Sequence, residues 1–141
     1  MLLPKAADLG LLFVRTDYSD DAAWLAALKA ATAAYEADDF DRMGALLHVV
    51  ESPTLANLTP QDLVRLPREG HVGELAVADA RTMRDQTVLF VDVNDFDEQV
   101  GRTFRTIPQE VETIVANLSI SNMDFHEFAD RADTDGVFRG F

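Results

Sequence analysis

Cysteine is absent from the 141-residue chain. Without a thiol there is no disulfide, no thiolate nucleophile and no zinc site with cysteine ligands. Disulfides are typical of oxidising compartments, so their absence agrees with a reducing one. We therefore expect a cytoplasmic protein.

Long apolar runs are also missing near the amino terminus, where the apolar stretch extends only from Leu9 to Val14, between Asp8 and Arg15. A transmembrane helix needs about 20 apolar residues, and a secretory signal begins with a basic segment. We expect neither a signal peptide nor a membrane partner.

The motifs of several common enzyme classes are absent. Lys5 and Lys29 are the only lysines, and neither lies in a Gly-x-x-x-x-Gly-Lys loop. There is no Gly-x-Gly-x-x-Gly or Gly-x-Ser-x-Gly segment, which argues against a dinucleotide fold and an α/β-hydrolase. The histidines are too far apart in sequence to form a metal-ligand pair: His48, His71 and His126. We expect no cofactor.

Basic residues are scarce, with 12 against 25 acidic ones and a net charge of −13. A surface this negative repels phosphates, so we expect no nucleic-acid partner. It favours solubility and also steers association with a basic partner. Both interpretations of the charge remain open.

What is present predicts one globular domain over residues 1–141, because 48% of the residues are hydrophobic and the length suits a single core. An apolar strand at Leu11–Arg15 precedes a helix capped by Ser19, whose stripe runs from Trp24 to Tyr35. A second strand follows at Ala45–Val50. Strand, helix and strand in this order predict a parallel crossover.

Local signals then predict a helix from Thr59, with Pro60 at its first position. Strands Glu74–Asp79 and Thr87–Val93 are separated by only Ala80–Gln86, which is too short for a parallel crossover, so we expect an antiparallel pair. Further elements are predicted at Thr103–Ile107, from Pro108 and from Ser121. The fold class is α/β with an α+β tendency, a mixed β-sheet with the order β-α-β-α-β-β-β-α-α and helices packed on the sheet.

The stretch Ser119–Asp130 carries the signals of a helix start. Ser121 is the expected N-cap, and Ile120 is spaced to pack on Phe125 as a hydrophobic staple. Phe125 and Phe128 begin an apolar face. The acidic residues between them fall on other faces, so a half-buried helix with an acidic exposed side is predicted.

Acidic residues near strand ends form one candidate site: Asp17, Asp79 and Asp92. Ligands bind beyond the carboxyl ends of parallel strands in open α/β sheets, and carboxylates there can hold Mg²⁺. Arg15 or Arg81 would complete such a site. An antiparallel pair would keep Asp79 and Asp92 from both sharing an edge with Asp17. The alternative is that Asp17 assists a helix start and the other two begin turns.

Two loops form a second candidate, each with a phenylalanine among carboxylates. The first contains Asp38, Asp39, Phe40 and Asp41, and the second contains Asp95, Phe96, Asp97 and Glu98. An exposed aromatic ringed by acids suits insertion into a basic partner. The alternative is that each phenylalanine folds back onto the core.

Four segments together resemble a small bacterial family of single-domain proteins of unknown function: Leu12–Trp24, Gly101–Pro108, Asn117–Asp130 and Asp135–Phe141. The resemblance implies a bacterial cytoplasmic origin, and no catalytic residue is carried over with it. Two hypotheses remain. One is a non-enzymatic module, such as an immunity-type protein, that binds a basic protein. The other is a small enzyme or ligand-binding protein using Asp17. A homo-oligomer is compatible with either.

Overall fold

The computed structural model describes residues 1–35 and 43–141. Its first half contains, in chain order, strand β1 (Leu11–Arg15), helix α1 (Asp21–Thr32), β2 (Leu47–Val50), α2 (Pro60–Val64), β3 (Glu74–Ala78) and α3 (Ala80–Asp85). The second half contains β4 (Val88–Asp92), β5 (Thr103–Thr106), α4 (Val111–Ser119), α5 (Phe125–Ala129) and β6 (Val137–Phe138). Single 3₁₀ turns lie at Pro53–Leu55 and Pro108–Glu110.

Within the described residues, six strands form one mixed sheet in the order β2-β1-β3-β4-β5-β6. β1 is parallel to β2 and β3, and β4 is antiparallel to β3 and β5. β6 is parallel to β5 at the edge of the sheet. The α/β class, the mixed sheet and the antiparallel β3–β4 pair are therefore confirmed.

Both faces of the sheet are covered, which explains why the central strands are continuously apolar. On one face Phe13 and Phe90 pack with residues of α1, α4 and α5. On the other face Leu12 and Leu75 pack with the amino-terminal segment and α2, including Leu63. Because successive side chains of a strand point to opposite faces, each buried strand contributes to both cores.

A group of aromatic rings forms the carboxy-terminal part of the first core. Phe104 lies 5.2 Å from Phe90 and 5.0 Å from Phe125 between ring centroids. Phe138, in β6, contacts the same group 5.4 Å from Phe128. The predicted order contains no strand after the last helix, but burial of Phe138 brings two residues of the carboxy-terminal segment alongside β5 as β6.

The predicted start of the last helix is wrong by several residues. α4 continues to Ser119, and Ser121 adopts a positive φ of 55°, which is incompatible with a capping position in extended backbone. Asp124 is the N-cap instead, with Glu127 accepting a hydrogen bond from its backbone N–H at 2.8 Å. Ile120 is 58% exposed, so it does not act as a staple, whereas Phe125 is buried as predicted.

Other boundaries differ for local reasons. Asp20, not Ser19, caps α1, and its carboxylate accepts from the N–H of Ala23 at 3.0 Å. The helix at Thr59 is confirmed, with a reciprocal capping box between Thr59 and Asp62. The β3–β4 connection, for which no helix was predicted, contains the short helix α3.

None of the helices in residues 1–35 and 43–141 combines the length and apolar character that crossing a bilayer requires.

Candidate functional site

The carboxyl end of β1 is occupied by an ion-paired arginine. Arg15 is only 4% exposed, and its guanidinium donates to Asp21 at 2.8 Å and to Glu51 at 3.0 Å. The same group lies 4.5 Å from the ring centroid of Tyr18 and 5.2 Å from that of Trp24. Its hydrogen-bonding and stacking capacity is used inside the protein, so Arg15 ties together the ends of two strands and α1.

The other candidates at this edge also have protein partners. Asp17 accepts hydrogen bonds from the N–H and hydroxyl of Ser19, at 3.0 and 2.5 Å. Asp79 forms a two-pronged ion pair with Arg105. Burial opposes it, but the Arg105 hydrogen bonds and charge hold the pKa of Asp79 below its ordinary value. Arg81 pairs within its own helix at 2.9 Å. A ligand here would have to displace these contacts.

Asp92 lies at the opposite edge of the sheet, because β4 runs antiparallel to β3. The first candidate set is therefore split. Arg15, Asp17, Asp79 and Arg81 share the edge formed by the carboxyl ends of β1 and β3, and Asp92 does not. This is the outcome that an antiparallel pair implies.

An open cleft of about 700 Å³ lies at the edge where Asp92 is found. Four segments form it: residues 5–12, residues 71–74, the β4–β5 loop and the connection between α4 and α5. Its charged or titratable side chains are predominantly acidic: Lys5, Asp8, His71, Glu74, Asp92, Asp97, Glu98, Asp124 and His126. The stretch Ser119–Asp130 thus contributes a wall of a cleft as well as a helix.

Glu74 and Asp92 are the central carboxyl groups of this cleft. They are register partners across the β3–β4 pair, at the first residue of one strand and the last of the other. Partners in an antiparallel pair point to the same face of the sheet. The alternation along both strands places them on the face that α4 and α5 cover.

The surroundings of these groups favour their protonated forms. Burial raises the pKa of Glu74 to about 7, and the charges of Asp92, Asp124 and Asp97 add to this effect. Burial also raises the pKa of Asp92 to about 6, reinforced by the neighbouring carboxyl of Asp97. A hydrogen bond with Asp92 lowers the pKa of Asp97. Taking a carboxylate out of water disfavours its charged form, so protons are retained here near neutral pH.

Asp92 is 1% exposed, and its Oδ1 accepts from the N–H of Asn94 at 3.0 Å. None of the residues that the structure describes donates a hydrogen bond to the buried Oδ2. A charged Asp92 would therefore have an unsatisfied oxygen, which is costly in a buried position. A proton on Oδ2 would resolve this conflict, and Asp97 is the neighbouring carboxyl that could accept it.

The β4–β5 loop is held by a series of side-chain to backbone hydrogen bonds. After Asp92, Asn94 accepts from the N–H of Phe96 at 3.1 Å, and Asp97 accepts from that of Gln99 at 3.0 Å. Such bonds fix the backbone of a turn. On this ordered loop the side chain of Phe96 is 92% exposed.

Arg68 anchors the same loop from behind. Its guanidinium donates to the carbonyls of Val93, Val72 and Val64, the last two at 3.1 and 3.0 Å, and pairs with Asp95 at 3.4 Å. A second cleft of about 740 Å³ runs along residues 64–68, 70–72 and 94–96. Phe96 lines both clefts and therefore stands between them.

Phe96 does not fold back onto the core, so the structural alternative for this residue is wrong. Asp38, Asp39, Phe40 and Asp41 lie outside the described residues. The structure unites Phe96, Asp97 and Glu98 with Asp92 in one cleft, although sequence reasoning assigned them to two separate sites. The remaining loop acid, Asp95, pairs with Arg68 on the other side.

Glu74, Asp124 and His126 were missed as site residues. The only local signal for Glu74 is a carboxyl group at the start of an apolar strand, and Asp124 lies in the stretch Ser119–Asp130 that predicts a helix start. Among the described residues no group of three or more histidine, aspartate or glutamate side chains is arranged to hold a metal ion. The cleft is therefore a carboxyl-rich site without a metal-ligand set in residues 1–35 and 43–141.

Comparison with known protein families finds one family model that covers most of the chain. Residues 10–141 match the model of a domain of unknown function, DUF6924. The chain belongs to the DUF6924 family. In this DUF6924 protein the match includes every strand and helix described above, along with Glu74, Asp92 and the Phe96 loop. The expectation of a small family of unknown function is confirmed. No curated protein and no solved structure matches the chain.

Proposed function

We propose that this DUF6924 protein is a non-enzymatic binding module that recognises a basic protein partner. The observation that carries the proposal is the loop Asp95–Glu98, in which Phe96 is 92% exposed between carboxylates. The loop forms the rim of the acidic cleft. An immunity-type protein that masks a basic toxin or a nucleic-acid-binding protein is one form of such a module, and we expect it to act in the cytoplasm.

An exposed phenylalanine on an ordered loop is well suited to binding. Burying its side chain contributes about 2 kcal/mol through the hydrophobic effect. The hydrogen bonds made by Asn94, Asp97 and Arg68 already restrict the loop. Little conformational entropy is then lost on association, which is the usual basis of preorganised recognition. Aromatic side chains with these properties are typical binding hot spots.

The negative charge of the chain and of the cleft indicates that the partner is basic. The chain has a net charge of −13, and the cleft beside Phe96 contains Glu74, Asp92, Asp97, Glu98 and Asp124. Complementary charge accelerates association and excludes acidic competitors. A surface rich in lysine and arginine, with an apolar pocket for Phe96, is the complement.

The experiment begins with affinity purification from a native lysate and identification of the bound proteins by mass spectrometry. The purified candidate partner is then titrated against wild type, Phe96→Ala and Leu25→Ala. Leu25 is 62% exposed on α1 and lines neither described cleft, so its substitution controls for loss of exposed apolar area.

We expect Phe96→Ala to weaken binding at least about tenfold, as for other hot spots, and Leu25→Ala to change it less than about twofold. The association rate should fall as sodium chloride increases from 50 to 300 mM. The proposal would be contradicted by a complex whose association rate does not depend on salt and whose affinity does not depend on Phe96. An acidic partner would also contradict it.

The second hypothesis, a ligand site using Asp17 with Arg15 or Arg81, stays a prediction. Its side chains are engaged by protein groups, which is why we favour the binding module. A thermal-shift screen with divalent metals, nucleotides and phosphorylated metabolites tests it, and stabilisation that Asp17→Asn abolishes would favour it.

A further inference from the structure

We infer that the floor of the acidic cleft binds a single organic cation, an ammonium or guanidinium group, through Glu74 and Asp97, with Asp92 behind them as a positioning residue. This inference deepens the proposed function, on which it rests for the source of the cation: a lysine or arginine side chain of the basic partner. The chemistry of recognition is the same for a free amine.

The central carboxyl groups of the cleft form no ion pair with a described basic side chain. None of the arginines, lysines or histidines in the described part of the chain forms an ion pair with Glu74, Asp92 or Asp97. By contrast, Asp79 at the opposite edge has a close arginine partner. Asp92 is buried and Glu74 is half-buried, and a charged group that has been taken out of water is normally paired.

One carboxyl oxygen of Asp92 is buried without a hydrogen-bond donor among the described residues. Its Oδ2 receives no hydrogen bond from any described residue, although Asp92 is 1% exposed and lines the cleft. Such a group needs a proton or a cation close by. Asp97 is its neighbouring carboxyl and also lines the cleft, so a cation bound to Asp97 would take over the role of a proton on Oδ2.

The size and lining of the cleft suit a side chain with an aliphatic stem and a charged head. The cleft is about 700 Å³ and open to solvent, and apolar side chains also line it, including Leu118, Met123 and Leu9. Lysine and arginine side chains have an aliphatic stem and a charged head, and the stem packs along apolar surface. A bare metal ion would use none of this surface, and the described carboxyl groups do not form a metal-ligand set.

Binding should release a proton, because the cation stabilises the ionised form of groups that hold protons near neutral pH. Glu74 and the Asp92–Asp97 pair supply that proton. Lys5, His71 and His126 are the basic side chains that also line the cleft, and positive charge on them opposes binding of a cation. Ionisation of the carboxyl groups favours a cation, so affinity should rise between pH 5.5 and pH 8.

The test uses n-butylammonium and n-butylguanidinium as probes, with n-butanol as the uncharged control. Two-dimensional NMR titrations of the full chain at pH 8 report saturable shifts at the amides of Glu74, Asp92 and Asp97. We expect both cations, and not butanol, to produce them. Glu74→Gln and Asp92→Asn should weaken binding at least about fivefold, since each removes a charge from the floor. Glu69→Gln, an exposed acid lining neither described cleft, should change it less than about twofold.

Calorimetric titration in buffers of different ionisation enthalpy measures the number of protons released on binding. This number distinguishes a positioning role of Asp92 in the cation site from a role in folding alone. Wild type should release protons on binding at pH 6.5, and Asp92→Asn should release fewer. The wild-type affinity at pH 5.5 and pH 8 supplies a measurement that needs no variant. A lysine-containing peptide that binds more tightly than butylammonium identifies a protein side chain as the source, and equal affinity identifies a free amine.

Absence of saturable binding at pH 8, equal binding of butanol, or tighter binding of Ca²⁺ through the same residues would overturn the cation site. If partner binding still depended on Phe96 in that case, the proposed function would stand without the site. Conversely, if the cation bound but no basic partner depended on Phe96, the cation site would be supported and the proposed function would be contradicted.

Discussion

Replacing Glu74 with glutamine should stabilise the folded protein at pH 8 and leave it nearly unchanged at pH 4. Glutamine resembles the protonated carboxyl in size and cannot become charged. The folded state raises the pKa of Glu74 from its ordinary 4.5 to about 7, mainly through burial. Between these values the folded state binds more protons than the unfolded one, so wild-type stability from this group falls as pH rises through this window.

The size of the effect follows from the same pKa. At about 1.4 kcal/mol per pH unit, a group moved from 4.5 to about 7 destabilises the folded state by about 3 kcal/mol above pH 7. Glu74 is only half-buried, and water reduces the penalty, so we expect about 1–2 kcal/mol. In a chain of this length that corresponds to an increase in melting temperature of about 3–6 °C.

Urea denaturation at pH 4, 6 and 8 measures the difference between Glu74→Gln and wild type. Glu69→Gln controls for the loss of one negative charge from a strongly acidic chain. The reasoning is refuted if the Glu74→Gln difference does not grow with pH, or if Glu69→Gln reproduces it. A destabilised Glu74→Gln protein at pH 8 would mean that Glu74 makes a favourable charged interaction.

Three further predictions concern the fold around the cleft. Phe138→Ala should cost about 3–5 kcal/mol in urea unfolding, because the side chain is fully buried; Phe141→Ala, whose ring is 69% exposed, should cost clearly less. Arg105→Ala should cost about 1–3 kcal/mol at pH 7 by leaving Asp79 unpaired. That cost should shrink as pH falls through the lowered pKa of Asp79, and an equal cost at pH 2.5 would contradict the ion-pair argument. Arg68→Ala should cost about 2–4 kcal/mol and accelerate hydrogen exchange at the β4–β5 loop; unchanged exchange would show that Arg68 does not order it.

The sequence predicts a structural feature correctly where a few adjacent residues are enough to determine it. The start of α2 follows from Thr59, Pro60 and Asp62, which satisfy the first backbone N–H groups by themselves. The antiparallel direction of β4 follows from the short connection after β3, since chain length limits the crossover. These features depend on contacts between neighbours in sequence.

The start of α5 illustrates where local chemistry was insufficient. Ser121 and Asp124 are both good N-cap residues, and only the end of α4 decides between them. Packing of Leu118 in the core extends α4 to Ser119, and the chain then turns through the positive φ of Ser121. β6 is similar, because a strand of two residues has no periodicity to recognise.

The amino-acid sequence by itself determined the α/β class, the mixed sheet, the excess of negative charge and the acidic surroundings of Phe96. Tertiary structure alone decided which acids meet. Glu74 faces Asp92 because of strand register, and Asp97 comes close to Asp92 because the chain turns after Asp92, with the N–H of Asp97 donating to the carbonyl of Asn94. Burial of Glu74 and Asp92, which raises their pKa values, is produced by elements that are distant in sequence, and no local pattern records it.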